Sequence, residues 1–312
     1  ERSVALYGVQ YCARKMPQKI PPFASLGFNH ELTTHLLSLS TASGLILWSG
    51  PTGAGKTTAI SSLLKEFLTM EGGFAYTIED PSEMPLDGIY HSVGGSLGLC
   101  KQTLPPKGNW GEGLKSALRS KPRYIMVGEI RALAAAELTF KGALSGHGVW
   151  STLHANSAPA IITRFRDMGV QPYMLADPEL MKGLISQRLF RKLCPHCRVS
   201  VKEKLNMPQV QRLKVALGDF GIENTYMRGP GCKFCDGRGI KGRMSVPEII
   251  LPDAMFLELM INGETRKAID YWTSDLNGRP LKDAAIERML KGYIDLDEVE
   301  RWCGLLDQRP VY

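Results

Sequence analysis

The 312-residue sequence contains no apolar run long enough to cross a bilayer: runs such as Gly44–Trp48 fall far short of the ~20 residues a membrane helix requires. It also lacks a secretory leader and does not open on Met, so Glu1 reads as a position inside something longer. A disulfide framework is excluded by its cysteine pattern: seven is an odd number, and four of the seven form two tight C-x-x-C pairs. Without an export signal, that pattern points to metal binding in a reducing cytoplasm. Acidic residues are scarce in one segment only. Between Met181 and Arg243 stand 14 Lys and Arg against 4 Asp and Glu, an excess of +10, so a net charge of +7 leaves about −3 for the rest. Such a segment suits nucleic acid, anionic lipid, an acidic protein or plain solvent. Stacking aromatics are not interleaved with it as they are in single-strand binders, which argues against nucleic acid as a partner. No internal repeat or low-complexity tract is present.

What remains is an ordinary globular composition, 44% hydrophobic and 22% charged, with length for one large domain and a smaller one. Residues 1–27, with Pro17, Pro21 and Pro22, read as a linker or the tail of a missing N-terminal domain. From Phe28 short strand-like runs alternate with helical ones. Gly44–Gly50, Phe74–Asp80, Arg123–Ile130 and Gly148–His154 read as strands. Thr57–Met70, Gly113–Ser120, Ala132–Leu144 and Ala158–Met168 read as helices, the first with Ile60, Leu63, Leu64, Phe67 and Leu68 on one face. Alternation of this kind implies an α/β fold with a mostly parallel sheet, whose ligands bind beyond the carboxyl ends of the strands. Residues 28–192 are the expected core, 193–243 a basic, cysteine-bearing subdomain, and 244–312 a helical C-terminal region.

Gly50-Pro51-Thr52-Gly53-Ala54-Gly55-Lys56-Thr57, followed by Thr58, fits G-x-x-x-x-G-K-[ST] between an expected strand and helix. The glycines let backbone N–H groups wrap phosphates, and the helix that follows adds its positive end. In that pattern Lys56 reaches the β- and γ-phosphates and the Thr57 hydroxyl holds Mg²⁺. Glu129 ends the apolar run Ile125–Glu129, where a carboxylate reaches the same Mg²⁺. Glu79, Asp80 and Glu83 follow another strand, where an acid can orient the attacking water. His147 and His154 bracket a further strand, and a strand-end histidine can sense the γ-phosphate. Taken singly, such acids also serve as helix caps and such histidines as structural groups.

These motifs resemble those of the ATPases of type II secretion and type IV pilus assembly. Thr77–Glu83 (TIEDPSE) resembles their aspartate box, Val127–Arg131 (VGEIR) their Walker B motif, and Gly146–Asn156 (GHGVWSTLHAN) their histidine box, with Leu26–Asn29 (LGFN) similar to their entry into the ATPase domain. The resemblance covers roughly residues 24–250. It implies a RecA-like P-loop fold, ATP as substrate, a homo-hexameric ring at the cytoplasmic face of the inner membrane, and work on a membrane-embedded platform protein. Membrane association would then be peripheral, through partners. It also implies that Glu83 positions the water with Glu79 second, that Glu129 is the Mg²⁺ acid, that His154 responds to phosphate loss, and that Arg131 contacts the subunit boundary. Two departures mark a divergent member: Arg119-Ser-Lys-Pro-Arg123 replaces the usual Arg-x-Asp-Pro-Asp, and Ala132 the usual Asp.

Cys194-Pro-His-Cys197 and Cys232-Lys-Phe-Cys235 lie with 34 residues between them. Each pair suits one knuckle, and two knuckles complete a tetrahedral Zn²⁺ site with no position open to water, with a subdomain inserted between them. His196 is expected to be exposed rather than a ligand, and Cys12, Cys100 and Cys303 to be ordinary side chains. The tetracysteine, with Gln187–Cys194 and Gly231–Arg243, resembles the assembly branch, since retraction ATPases generally lack it. Two other readings stay open at this point: a RecA-like nucleic-acid motor and a regulatory module that binds nucleotide without hydrolysing it.

Overall fold

The strand Gly44–Ser49 (β1) is buried along its whole length, with Leu45 and Leu47 turned to one core and Ile46 and Trp48 to another. A strand apolar on both faces needs helices on both sides, which is the situation of a central parallel strand. The computed structural model describes residues 16–28, 30–39, 43–92 and 94–308, and places β1 near the middle of an eight-stranded sheet.

The other strands of that sheet are β2 (Gly73–Ile78), β3 (Gly88–His91), β4 (Leu97–Thr103), β5 (Tyr124–Ile130), β6 (Gly148–Leu153), β7 (Met181–Leu193) and β10 (Ile240–Ile250). Their order is β10-β7-β1-β6-β5-β2-β4-β3. The strands from β7 to β4 run parallel, and β10 and β3 close the two edges antiparallel. A separate two-stranded ribbon joins β8 (Val199–Ser200) to β9 (Tyr226–Met227).

Helices cover both faces. On one side α3 (Trp110–Arg119), α4 (Leu133–Leu144), α5 (Ala160–Met168), α6 (Pro172–Leu175), α8 (Ala254–Ile261) and α9 (Thr265–Ser274) pack around Phe140, Phe165, Phe256 and Trp272. On the other, α1 (His30–Ser38) and α2 (Lys56–Met70) pack with Phe23, Phe28 and Trp48. The three remaining helices, α7 (Pro208–Asn224), α10 (Leu281–Leu290) and α11 (Leu296–Cys303), build a second, smaller core against the far halves of β7 and β10, around Phe190, Leu213, Val246 and Met289.

The four expected strands and four expected helices lie within three residues of their observed bounds. Other expectations are corrected. Ile20 and Phe23, inside the presumed linker, are buried in the α1–α2 core, because the short 3-10 turn Phe23–Leu26 packs on α2 and carries its apolar side chains into that core. Residues 244–250, assigned to a helical region, are strand: β10 pairs with β7 from Ile240↔Leu193 to Ile250↔Leu184. The helices that follow are divided, α8 and α9 joining the large core and α10 and α11 the small one. Cys12 and Asn29 lie outside the described residues. Among the described residues, no helix is long and apolar enough to cross a membrane.

Candidate functional site

The turn from β1 into α2 is built on glycines with backbone conformations that side chains resist. Gly53 has φ +79° and Gly55, the residue before α2, φ +84°. No side chain caps the start of α2, so its first N–H groups are left to face the loop. The Lys56 ammonium, buried at the mouth of the helix, donates to Gly50 O at 2.7 Å and Pro51 O at 3.2 Å. Burial lowers its pKa; Glu129 and Glu83 pull the other way by favouring its charge, while Arg188 adds to the lowering.

Thr52 through Thr58 line a cleft of about 250 Å³, and the polar part of its remaining wall comes from Glu79, Asp80, Glu83, Glu129, Arg131, Thr152 and His154. The ends of β2, β5 and β6 thus deliver their polar residues to the loop that follows β1, as expected for the carboxyl edge of a parallel sheet. Gly50 and Pro51 line an adjoining cleft of about 500 Å³ together with His154, Asn156 and Arg164. His147 stands at the opposite end of β6, where its carbonyl accepts from Gly44 N at the start of β1. Of the two bracketing histidines, only His154 reaches the cleft, because a strand separates its ends.

Glu129 reaches the cleft through a bulge. Val127 pairs with Ser151 and Glu129 with Thr152, so Gly128 is the extra residue in β5. The shift breaks the two-residue alternation that would otherwise have continued from Ile125 and Val127, and the carboxylate turns into the site. Ser151 Oγ donates to Gly128 O at 2.6 Å and pins the bulge. One Glu129 oxygen takes Arg131 Nη2 at 2.6 Å and Nε at 2.8 Å, and the other meets His154 Nε2. Glu79 is buried and accepts from Gln102 Nε2 at 2.9 Å. Burial raises its pKa, and the Gln102 and Thr77 hydrogen bonds offset part of that rise. Glu83 lies on the loop beyond β2, half-buried in the cleft wall. The donor set of Thr57 hydroxyl and Glu129 carboxylate is hard oxygen, the kind that suits Mg²⁺.

Two residues that hold these loops were not singled out by their chemistry in the sequence. Gln187 on β7 donates to Ala54 O at 2.7 Å and to Ser245 Oγ at 3.2 Å, while accepting from Trp48 Nε1 at 2.8 Å. Arg188 donates to Asn156 O at 2.5 Å. The available signal was three consecutive polar residues, Ser186, Gln187 and Arg188, inside the otherwise apolar run Leu184–Phe190.

The four knuckle cysteines converge. Sγ separations are 3.7 Å for Cys194–Cys232, 3.8 Å for Cys197–Cys235 and 3.8 Å for Cys232–Cys235, and all four atoms lie within 4.8 Å of one another. Four thiolates about 2.3 Å from one tetrahedral ion would stand about 3.8 Å apart, so the cluster fits a four-coordinate metal. Cys235 Sγ also accepts from Gly239 N at 3.1 Å and Cys232 N at 3.2 Å, the contacts that orient a thiolate ligand. The insert between the pairs holds β8, α7 and β9. His196 is exposed and packs on Phe234 at 4.4 Å between centroids. Cys100 and Cys303 stand apart from the cluster, each with its thiol pushed up to about 12, first of all by burial.

A G-x-x-x-x-G-K-[ST] loop, strand-end acids, a strand-end histidine and a tetracysteine now stand in one chain, and the family model described as "Type II/IV secretion system protein" matches residues 6–301 of it. The chain belongs to that family. Within it, the chain is 36% identical over 283 residues to the type IV pilus assembly ATPase TfpB of Acinetobacter baylyi, which covers 89% of this chain and 46% of that protein. It is 34% identical over 259 residues to the type II secretion system protein E of Aeromonas hydrophila, covering 83% and 48% respectively. This member of the type II/IV secretion family thus spans about half the length of those two relatives. The fold is that of the pilus retraction motor PilT with bound ADP (TM-score 0.66, 23% identity, 93% of this chain and 68% of that one) and of the Legionella pneumophila ATPase DotB (TM-score 0.65, 19% identity, 92% and 66%).

Proposed function

We propose that this chain binds ATP·Mg²⁺ in the cleft between the phosphate loop and the ends of β2, β5 and β6, and hydrolyses it to drive assembly of a type IV pilus or a type II secretion pseudopilus. The observation that carries the reading is the convergence of Thr52–Thr58, Glu79, Glu83, Glu129, Arg131 and His154 on one cleft. The loop amides and the start of α2 grip the phosphates, with Lys56 as the charge on the β- and γ-phosphates. Thr57 and Glu129 would hold Mg²⁺, which when bound neutralises charge on the β- and γ-oxygens. Glu83, partly open to the cleft, aims water at the γ-phosphate. Glu79 is placed second because burial favours its neutral form and Gln102 already occupies one oxygen. His154 stands on Glu129 and so registers the state of the phosphate end of the site. Arg131 lies exposed at the rim, where a neighbouring subunit of a ring would meet it.

Zn²⁺ on Cys194, Cys197, Cys232 and Cys235 is structural in this reading and holds the basic insert in shape. In this reading the chain works as a homo-hexamer at the cytoplasmic face of the inner membrane, docked peripherally on a platform protein, with no nucleic-acid partner; the relatives named as a type IV pilus assembly ATPase and a type II secretion protein support the link to those two machines. The test is ATP turnover and ATP binding by Lys56→Ala and Glu129→Gln. Lys56→Ala is expected to lose both, and Glu129→Gln to keep binding while turnover falls by about a hundredfold or more, the scale of losing one charge-stabilising group. Unchanged turnover in both would refute the assignment.

A further inference from the structure

Glu248, on β10, is buried and accepts at both oxygens from backbone amides at the entries to two different helices. Oε1 accepts from Ala158 N at 2.6 Å, at the entry to α5, and Oε2 accepts from Leu281 N at 3.0 Å, the first residue of α10. Neither helix has a side-chain cap of its own at its N-cap residue, Pro159 or Pro280. One carboxylate therefore satisfies the first amide of α10 and the amide two residues ahead of α5, whose own first amide, Ala160 N, donates to Ser157 Oγ at 3.3 Å; the two bonds offset the desolvation of the carboxylate. The segment that leads into α5 is the one that leaves the site: His154, Ala155, Asn156, Ser157, Ala158. Its other anchor is Arg188 on the adjacent strand, which donates to Asn156 O at 2.5 Å. The loop carrying the residue on Glu129 is thus clamped from β7 and β10, and the β10 clamp is shared with α10. Helix α10 belongs to the small core, which is packed on the same two strands that run on into the cysteine knuckles.

We infer that Arg188 and Glu248 are positioning residues for the His154 loop, and that Glu248 passes the position of that loop to α10. This rests on the proposed nucleotide site. A loop drawn toward a γ-phosphate at His154 pulls on Ala158 N; the shared carboxylate follows, and the start of α10 with it. Small displacements are carried because the group is buried and has no freedom to swing without breaking a charge-assisted bond.

The test compares wild type with Glu248→Gln, which keeps size and one acceptor but cannot accept at both positions. ADP and a non-hydrolysable ATP analogue, each with Mg²⁺, are titrated by calorimetry, and amide hydrogen exchange is followed at residues 155–160 and 281–284. In wild type, the analogue should slow exchange at both segments relative to ADP. In Glu248→Gln the response at 281–284 should disappear, ADP affinity should stay within about twofold, and analogue affinity should fall by about tenfold, the scale of one hydrogen bond to a charged group. Arg188→Met should weaken the analogue in the same selective way. A response at 281–284 in Glu248→Gln equal to wild type, or equal loss of ADP and analogue in both variants, would overturn the inference. Wild-type protein that binds neither nucleotide would instead sink the site itself, and this inference with it.

Discussion

Replacing Gly50 and Gly53 separately by alanine separates two physical effects within one loop. At Gly53 a Cβ would meet nothing within 4 Å, so Gly53→Ala feels only its left-handed backbone, φ +79°. That conformation costs an L-residue about 1–2 kcal/mol, and the loss of glycine's freedom in the unfolded chain returns about 0.4–1 kcal/mol. The net is roughly 1 kcal/mol, or about 2–4 °C in Tm for a domain of this size. At Gly50 the backbone stands at φ +143°, and a Cβ would lie 2.5 Å from Gln187 O, a main-chain atom in the middle of the sheet. Neither side can yield cheaply, so Gly50→Ala should cost about 3 kcal/mol or more, in the range reserved for strain at special backbone positions. Gly50 O is also the acceptor for Lys56 Nζ, so whatever shift relieves the clash moves the ammonium. Denaturant unfolding gives the stabilities, and calorimetry with ATP·Mg²⁺ gives the affinities. Gly53→Ala should unfold close to wild type and Gly50→Ala well below it, with ATP affinity down by tenfold or more, about 1.4 kcal/mol, in Gly50→Ala. Equal stability of the two variants, or wild-type ATP affinity in Gly50→Ala, would refute the steric account.

Two further predictions concern metal and proton. Chelation under denaturing conditions should release one Zn²⁺ per chain, and Cys194→Ser with Cys232→Ser should lower the Tm of the small core while leaving ATP affinity within about twofold, because the large cores share no residue with the cluster; absence of zinc from purified wild type would refute the site. Burial raises the pKa of Glu79 in the folded state, so the stability tied to its protonated form is present below the ordinary carboxyl value, ~4.3, and is lost as pH rises through the raised one. Glu79→Gln should therefore match wild type in urea midpoint near pH 4 and exceed it near pH 8, and a constant difference across that range would contradict the assigned burial effect.

Much of the site was legible in the residues because its parts are local. A phosphate loop is a strand, a glycine turn and a helix in immediate succession, and Gly44–Met70 contains all three. The four strands of the motif regions carry period-free apolar runs that end in polar residues, which already places those residues on one edge of a parallel sheet. The paired C-x-x-C knuckles announced a four-thiol cluster by their spacing. Strands β3 and β4 were less legible: β3 is the edge strand and β4 its neighbour, and neither is buried along its length, with Leu97 and Leu99 exposed, so no clean apolar run marks them.

The sequence by itself determined that this chain has a nucleotide-type loop, acids at strand ends and two cysteine knuckles, since each of these is encoded in residues close together along the chain. Tertiary structure alone decided how they are joined. The bulge at Gly128 that turns Glu129 inward, the exclusion of His147 by its place at the far end of β6, and the pairing of β10 with β7 depend on register between segments distant in sequence. Glu248 shows the limit most clearly: it lies 90 residues from Ala158 and 33 from Leu281, and no local pattern marks a carboxylate whose partners are two backbone amides. Hydrophobic period and motif spacing are properties of neighbouring residues, whereas the capture of a buried charge is a property of the packed whole.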